Sequence, residues 1–310
     1  MVTTLLLLAA GVAAAAVGAD LLVRGSVGLA QRWRLPPAVI GVTIAAFGTS
    51  GPELAVAIRS AAAGRPEIAV GDVLGSNLVN LGLVLGVALL FGAIAIDRPT
   101  IVRDIPLAAG APLLVLVLLA DGMLSRRDAT MLLLAFAIWL GQVVLAARSQ
   151  RRQTVGEDVA TSGLHPAVGT ALGLALLALA GSAIVAAANR LMDELGWSGY
   201  AVGIVFVAIS TSAPEIATMV MARVQRQDGV GLGTVLGSNI FNTLWIIGVA
   251  GLVHPVVMPE VGIRVVVGLG VLATVLVLPR TGRPLPRARG LLLLAAYLAA
   301  VALTTAGLAA

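Results

Sequence analysis

Gly48-Thr49-Ser50-Gly51-Pro52-Glu53 and Ser210-Thr211-Ser212-Ala213-Pro214-Glu215 are two versions of one hexapeptide, 162 residues apart. A second pair keeps that offset: Val73-Leu74-Gly75-Ser76-Asn77 returns as Val235-Leu236-Gly237-Ser238-Asn239. The same shift aligns Gly41 with Gly203, Ala46 with Ala208, Asn80 with Asn242, and Gly86-Val87-Ala88 with Gly248-Val249-Ala250. Self-similarity at one fixed offset marks a duplicated unit. The repeated motifs occupy 41–88 and 203–250, so the chain divides into a first half, 1–148, a polar linker, 149–166, and a second half, 167–310.

Composition says where the halves reside. Of 310 residues, 59% are hydrophobic and 11% charged, whereas soluble domains carry about 25% charged residues. Only a bilayer absorbs that much apolar surface. Apolar stretches long enough to cross a hydrocarbon core of about 30 Å fall near 3–23, 37–63, 68–91, 105–120, 129–147, 167–189, 200–222, 230–253, 262–279 and 290–308. The expected fold is an all-α integral membrane protein with ten transmembrane helices. The stretch after Thr3 lacks the positively charged start of a cleaved leader and is read as a span. With five spans per half, an odd number, the two halves enter the membrane in opposite orientations. Inverted repeats of this kind build many secondary transporters, with the substrate site near the midplane where the halves meet.

The net charge of +5 comes with no lysine at all. Fourteen arginines fall in loops after odd-numbered spans and six in loops after even-numbered ones. This bias makes the odd loops cytoplasmic and leaves both termini outside. The arginines sit singly or in pairs between spans, so the basic balance reads as topology, not nucleic-acid binding. Cysteine is absent, which removes disulfides, thiolate metal sites and cysteine nucleophiles.

Glu53 and Glu215 are the carboxylates placed deep within spans. A charge at the bilayer centre costs at least about 2.5–3.5 kcal/mol, and no arginine is placed deep enough to answer it. Bound cations or protons are the remaining counter-charges; the bland alternative is a pair of permanently protonated glutamates. Pro52 and Pro214 interrupt the helix one turn back, near Gly48 and Ser210, and broken backbone at this depth is tolerated where it lines a cavity. Thr49 lies four residues before Glu53, and Thr211 four before Glu215, so each pair shares a helix face. Ser50 and Ser212 add hydroxyls. Ser76 and Asn80 share a face, as do Ser238 and Asn242. Asn77 and Asn239 fall on another face and read as structural, bonding to backbone or across helices. The glycines Gly71, Gly75, Gly82, Gly86, Gly231, Gly233 and Gly237 read as points of close helix approach. Asp72 is expected to be a helix-start carboxylate near the outer surface, or else an attractor for entering cations.

This inventory is oxygen throughout. Calcium accepts 6–8 hard oxygens in flexible geometry, while magnesium demands a strict octahedron. His165 and His254 fall in loops, leaving no soft or borderline donor. Two glutamates balance one Ca²⁺ or two Na⁺, and occupancy of one site by either set is a physical basis for exchange. An inverted repeat suits two interconverting states better than a passive cation channel. An intramembrane enzyme using the glutamates as acid and base lacks the expected histidine–metal motifs.

GTSGPE with GDVLGSNLVN, and STSAPE with GTVLGSNIFN, resemble the two alpha-repeats of the sodium/calcium exchanger family of the cation/calcium antiporter superfamily, in its prokaryotic form. The resemblance implies that the second, third, seventh and eighth spans form a core, against which the first and sixth slide to alternate access. It implies Glu53 and Glu215 as central calcium ligands, with Thr49 and Thr211 adding oxygens. Ser50, Ser76, Ser212 and Ser238 would serve flanking sodium sites with the carbonyls of Ala46 and Ala208, and Asn80 and Asn242 would complete the ring. Position 242 is often aspartate in the family, so one charge of the usual pattern is missing here; Ser210 stands where a glycine usually opens the motif. The expected function is Ca²⁺/Na⁺ antiport at the cell membrane, with H⁺ as the alternative to Na⁺. The expected partners are these ions and the lipid bilayer, with no cofactor, no nucleic acid and no obligate protein partner. No domain for allosteric calcium control is expected.

Overall fold

The computed structural model describes residues 2–153, 165–195, 208–257, 260–278 and 284–307. The chain folds as α1 (Val2–Trp33), the broken pair α2 (Pro37–Thr49) and α3 (Gly51–Ala62), α4 (Pro66–Leu90), α5 (Thr100–Leu118) and α6 (Arg126–Gln153). There follow α7 (Pro166–Leu195), α8 (Ala213–Val224), α9 (Asp228–Val253), α10 (Glu260–Val277) and α11 (Arg287–Gly307). A two-residue pairing of β1 (Met123–Leu124) with β2 (Val256–Val257) ties one end of the bundle together. Among the described residues, six helices are long and apolar enough to cross a membrane, and the bent α2–α3 pair makes a seventh. Parts of the linker, residues 154–164, and the start of the second repeat, 203–207, lie outside the described residues, as do the first residues of the expected span 200–222.

Burial sorts the helices into a centre and a shell. In α4, 78% of the apolar stretch is buried and in α9 83%, against 28–39% in α1, α5, α6 and α7. The outer helices therefore present apolar side chains such as Leu134, Ile138 and Leu179 outward, as a lipid-facing surface requires. The two central helices are those that carry the Gly-Ser-Asn motifs.

The turns leading into the central helices match. Gly64 (φ +74°) and Arg226 (φ +57°) both take the left-handed conformation. Arg65 N–H then donates to the Ser60 carbonyl at 2.9 Å, and Gln227 N–H to that of Ala222 at 2.7 Å. Each bond spans five residues, the Schellman closure that satisfies a helix's last carbonyls. Glycine reaches this conformation without strain, while Arg226 bears a side chain there. Pro66 and Asp228 then start α4 and α9 at equivalent positions.

Small residues fix the spacing. A Cβ on Gly237 would stand 2.4 Å from the Val42 carbonyl oxygen and 2.7 Å from the Ala46 Cβ. Its counterpart Gly75 faces the Ala208 Cβ at 3.1 Å. Each motif glycine thus seats its helix on the alanine before the other half's hexapeptide. Gly82 and Gly86 do the same against α11, meeting Tyr297 and Leu294. Gly71 differs from expectation: nothing stands within 4 Å of where its Cβ would be, so it mediates no close approach. The pair α1–α7 approaches about as closely, since a Cβ on Gly25 would lie 2.5 Å from Thr170 N and one on Gly173 2.6 Å from Leu22 N. Without a hydrophobic force between helices in lipid, such backbone contact is how spans hold together.

Candidate cation site

The site begins with a break in the helix. Ser50 has ψ 17° and Ser212 ψ 8°, both off the helical value, and α2 and α3 meet there at 45°. Pro52 and Pro214 follow at the first turn of the new helix, where a missing N–H costs least. The break points Glu53 and Glu215 inward from the first turns of α3 and α8, and both are fully buried.

Hydroxyls from each half reach the other half's glutamate. Ser50 Oγ donates to Glu215 Oε1 at 3.2 Å, and Ser212 Oγ to Glu53 Oε1 at 3.5 Å. Thr49 Oγ1 lies 3.4 Å from Ser238 Oγ, and Thr211 Oγ1 3.2 Å from Ser76 Oγ. Each of these contacts maps onto its partner under the 162-residue shift. Ser238 Oγ also lies 3.1 Å from Glu215 Oε1 and 3.3 Å from the Ala46 carbonyl. Thr49 and Thr211 lie 3.2 Å from the carbonyls of Ala46 and Ala208. The second oxygens, Glu53 Oε2 and Glu215 Oε2, are buried with no hydrogen-bond partner.

The asparagines divide as their faces require. Asn77 Nδ2 reaches the Asn239 carbonyl at 3.5 Å and Thr243 Oγ1 at 2.6 Å, while Asn239 Nδ2 donates to the Asn77 carbonyl at 3.1 Å. These two form a reciprocal clasp between the central helices. Asn80 is tied to it, donating to Asn239 Oδ1 at 3.0 Å, and its own Oδ1 is left without a partner. Asn242 is buried with neither Nδ2 nor Oδ1 partnered. Asn80 and Asn242 sit in equivalent π-helical stretches, Val79–Leu85 and Phe241–Ile246. Such widened turns are uncommon and cluster at functional sites. Hydrophobic periodicity carries no signature of them, so the sequence did not announce them.

The twelve residues named from the sequence are all buried, and the hydroxyls, carboxylates and two alanine carbonyls come together around the break. Asp72 corrects the expectation. It is no surface carboxylate: it is 4% exposed, and its Oδ1 accepts a hydrogen bond from Thr211 Oγ1 at 3.2 Å. It sits one turn before Ser76, and the close packing of α4 within the bundle buries that turn too. Its spacing of four from Ser76 was the only available signal.

Charge balance defines what the site can do. Among the described residues the ion pairs lie elsewhere: Arg24–Asp20, Arg65–Glu67, Arg103–Asp104 and Arg223–Asp228. Buried carboxylates without a cationic side chain need another source of positive charge. The surrounding donors are hydroxyl, amide, carboxylate and carbonyl oxygens, a set suited to hard cations.

Comparison with known proteins gives the same direction. The family model described as sodium/calcium exchanger protein matches residues 3–145 and 165–306. The chain is 32% identical over 260 residues to the inner membrane protein YrbG of Escherichia coli, covering 80% of this chain and 79% of YrbG. It is 27% identical over 325 residues to the sodium/calcium exchanger MaX1 of Methanosarcina acetivorans, covering 91% and 93%. The solved structure of the sodium-calcium exchanger NCX_Mj, soaked with Na⁺ and Ca²⁺, superposes with a TM-score of 0.83 at 26% identity, over 97% of this chain and 98% of that one. The chain belongs to the sodium/calcium exchanger family.

Proposed function

We propose that this membrane antiporter exchanges Ca²⁺ for Na⁺ by alternating access, through a site built on Glu53 and Glu215. The observation that carries this reading is the crossed arrangement in which each buried glutamate takes a hydroxyl from the opposite half. An ion held there touches both halves at once. Removal of either half's ligands on moving the halves apart opens the site, and two matching halves provide two matching exits.

In this reading Ca²⁺ sits between Glu53 and Glu215, with Thr49 and Thr211 beside it. Na⁺ takes flanking positions on Ser50, Ser76, Ser212 and Ser238 and the carbonyls of Ala46 and Ala208. Asn80 and Asn242 turn their unpartnered oxygens to the cargo. The two ion sets compete for the same carboxylates, so the membrane is crossed only with one set or the other. Ten spans in two inverted halves, 1–148 and 167–310, in the cell membrane with both termini outside, complete the proposal. The family's likeness to sodium/calcium exchangers supports Na⁺ as the counter-ion.

Calcium uptake into sodium-loaded proteoliposomes tests this directly. Dilution into sodium-free medium is expected to drive uptake, and Glu53→Gln and Glu215→Gln each to reduce it at least about a hundredfold, since each removes half of the charge that balances Ca²⁺. Unchanged flux in both variants, shown to be monodisperse, sinks the site. Uptake driven by a pH gradient alone assigns H⁺ as the counter-ion.

A further inference from the structure

The clasp between the central helices is built from matching residues, yet its hydrogen bonds do not match. Asn80 Nδ2 donates to Asn239 Oδ1 at 3.0 Å. The 162-residue shift turns that bond into one from Asn242 Nδ2 to Asn77 Oδ1. Those are two atoms that the structure buries without a partner. The bonds to backbone are unequal too. Asn239 Nδ2 donates to the Asn77 carbonyl at 3.1 Å, and Asn77 Nδ2 to the Asn239 carbonyl at 3.5 Å.

Thr243 accounts for the difference. Its Oγ1 accepts from Asn77 Nδ2 at 2.6 Å, well inside the usual hydrogen-bond range, whereas 3.5 Å lies at its edge. The corresponding residue of the first half is Leu81, buried in the equivalent π-helical turn. A leucine side chain accepts nothing, so the Asn239 amide has no rival partner at that position. An amide group is planar, and its nitrogen and oxygen turn together. The Asn77 amide drawn to Thr243 carries Oδ1 with it, out of bonding reach of Asn242.

The two asparagines nearest the cargo are therefore held differently. Asn80 has its nitrogen tied and presents its oxygen. Asn242 has neither atom tied and can present either. A hard cation takes only the oxygen, so Asn242 has to be oriented when the ion arrives, and ordering a side chain on binding lowers affinity.

We infer that Asn77, Asn239 and Thr243 are positioning residues: Asn239 fixes Asn80 as an oxygen ligand, and Thr243, by holding Asn77, leaves Asn242 free to turn. The inference rests on Asn80 and Asn242 facing the cargo, as proposed above. A loose ligand weakens the hold on the ion and speeds its release. Without the Thr243 hydroxyl, Asn77 Oδ1 turns to accept from Asn242 Nδ2, and the second asparagine becomes as fixed as the first.

The test uses the full chain carrying Thr243→Val, which keeps the shape and removes the acceptor, Thr243→Ala, which removes it with less bulk, and Thr243→Ser, which restores it. Calcium-dependent thermal stabilisation in detergent reads binding alone, and calcium uptake into sodium-loaded proteoliposomes reads turnover. Thr243→Val and Thr243→Ala are expected to need about three- to tenfold less calcium for half-maximal stabilisation, the worth of one hydrogen bond that orients a ligand in advance. Their maximal uptake rate is expected to fall by a similar factor, while Thr243→Ser stays within about twofold of wild type in both readouts. A packing defect loosens binding and cannot tighten it. Unchanged or weaker calcium binding in the valine and alanine variants overturns the inference, as does a serine variant that behaves like valine. Wild-type protein that calcium does not stabilise overturns the cargo site itself, and this inference with it.

Discussion

Ser50 and Ser238 share one acceptor, Glu215 Oε1, at 3.2 and 3.1 Å. A hydroxyl resting on a carboxylate has its lone pairs free to turn to a cation, so both serve the carboxylate and its cargo. Hydrogen bonds to charged groups contribute about 1.5–3 kcal/mol, and loss of one of two donors leaves the other in place. Ser50→Ala is therefore expected to weaken the apparent calcium affinity about tenfold, and Ser50→Ala with Ser238→Ala by more than the product of the two single effects. Calcium dependence of exchange in the three variants measures this; strictly multiplicative effects mean the serines act independently of Glu215. At this scale the sequence was legible where chemistry repeats. Thr49, Ser50 and Glu53 recur as Thr211, Ser212 and Glu215, and the repeat itself flagged them. Asp72 has no repeat partner, and depth along a helix is set by how the bundle packs, which spacing within one helix does not contain.

The central helices α4 and α9 owe their position to absent side chains. Gly237 leaves no room for a Cβ, with the Val42 carbonyl oxygen 2.4 Å away. The obstruction is backbone, so α9 must move off the first half to admit a methyl group, and overpacking of this kind costs about 1–3 kcal/mol. The same shift carries Ser238 away from Thr49 and Glu215. Gly237→Ala is expected to lower thermal stability and also to abolish exchange. Gly141, in α6, meets nothing within 4 Å. There Gly→Ala is expected to leave exchange intact and to stabilise the helix by up to about 1 kcal/mol. Thermal unfolding in detergent, paired with calcium uptake, separates the two; equal behaviour refutes the packing argument. Helices at this level were readable from apolar length. The breaks at Ser50 and Ser212 followed from Pro52 and Pro214, but the π-helical turns around Asn80 and Asn242 did not, because one extra residue in a turn leaves no mark on a wholly apolar pattern.

For the whole molecule, orientation is the consequence of the duplication that most needs testing. The turns at Gly64 and Arg226 share one backbone path, closed by equivalent bonds to Ser60 and Ala222. If the halves are inverted, these matching turns face opposite sides of the membrane. The arginine bias assigns the second to the cytoplasm and the first to the exterior. Arg65 and Arg226 are both exposed, and the chain contains no cysteine, so single substitutions report without background. Arg65→Cys is expected to react with a membrane-impermeant thiol reagent in intact cells, and Arg226→Cys only after the membrane is opened. Labelling of both from one side removes the inversion, and with it the argument that one sequence plan yields both exits. The opposite pattern, with Arg226→Cys alone labelled outside, keeps the inversion and reverses the termini. Either way the result fixes which hydroxyl set meets the external sodium, since Ser76 and Asp72 lie toward the Arg65 end of α4 and Ser238 toward the Arg226 end of α9.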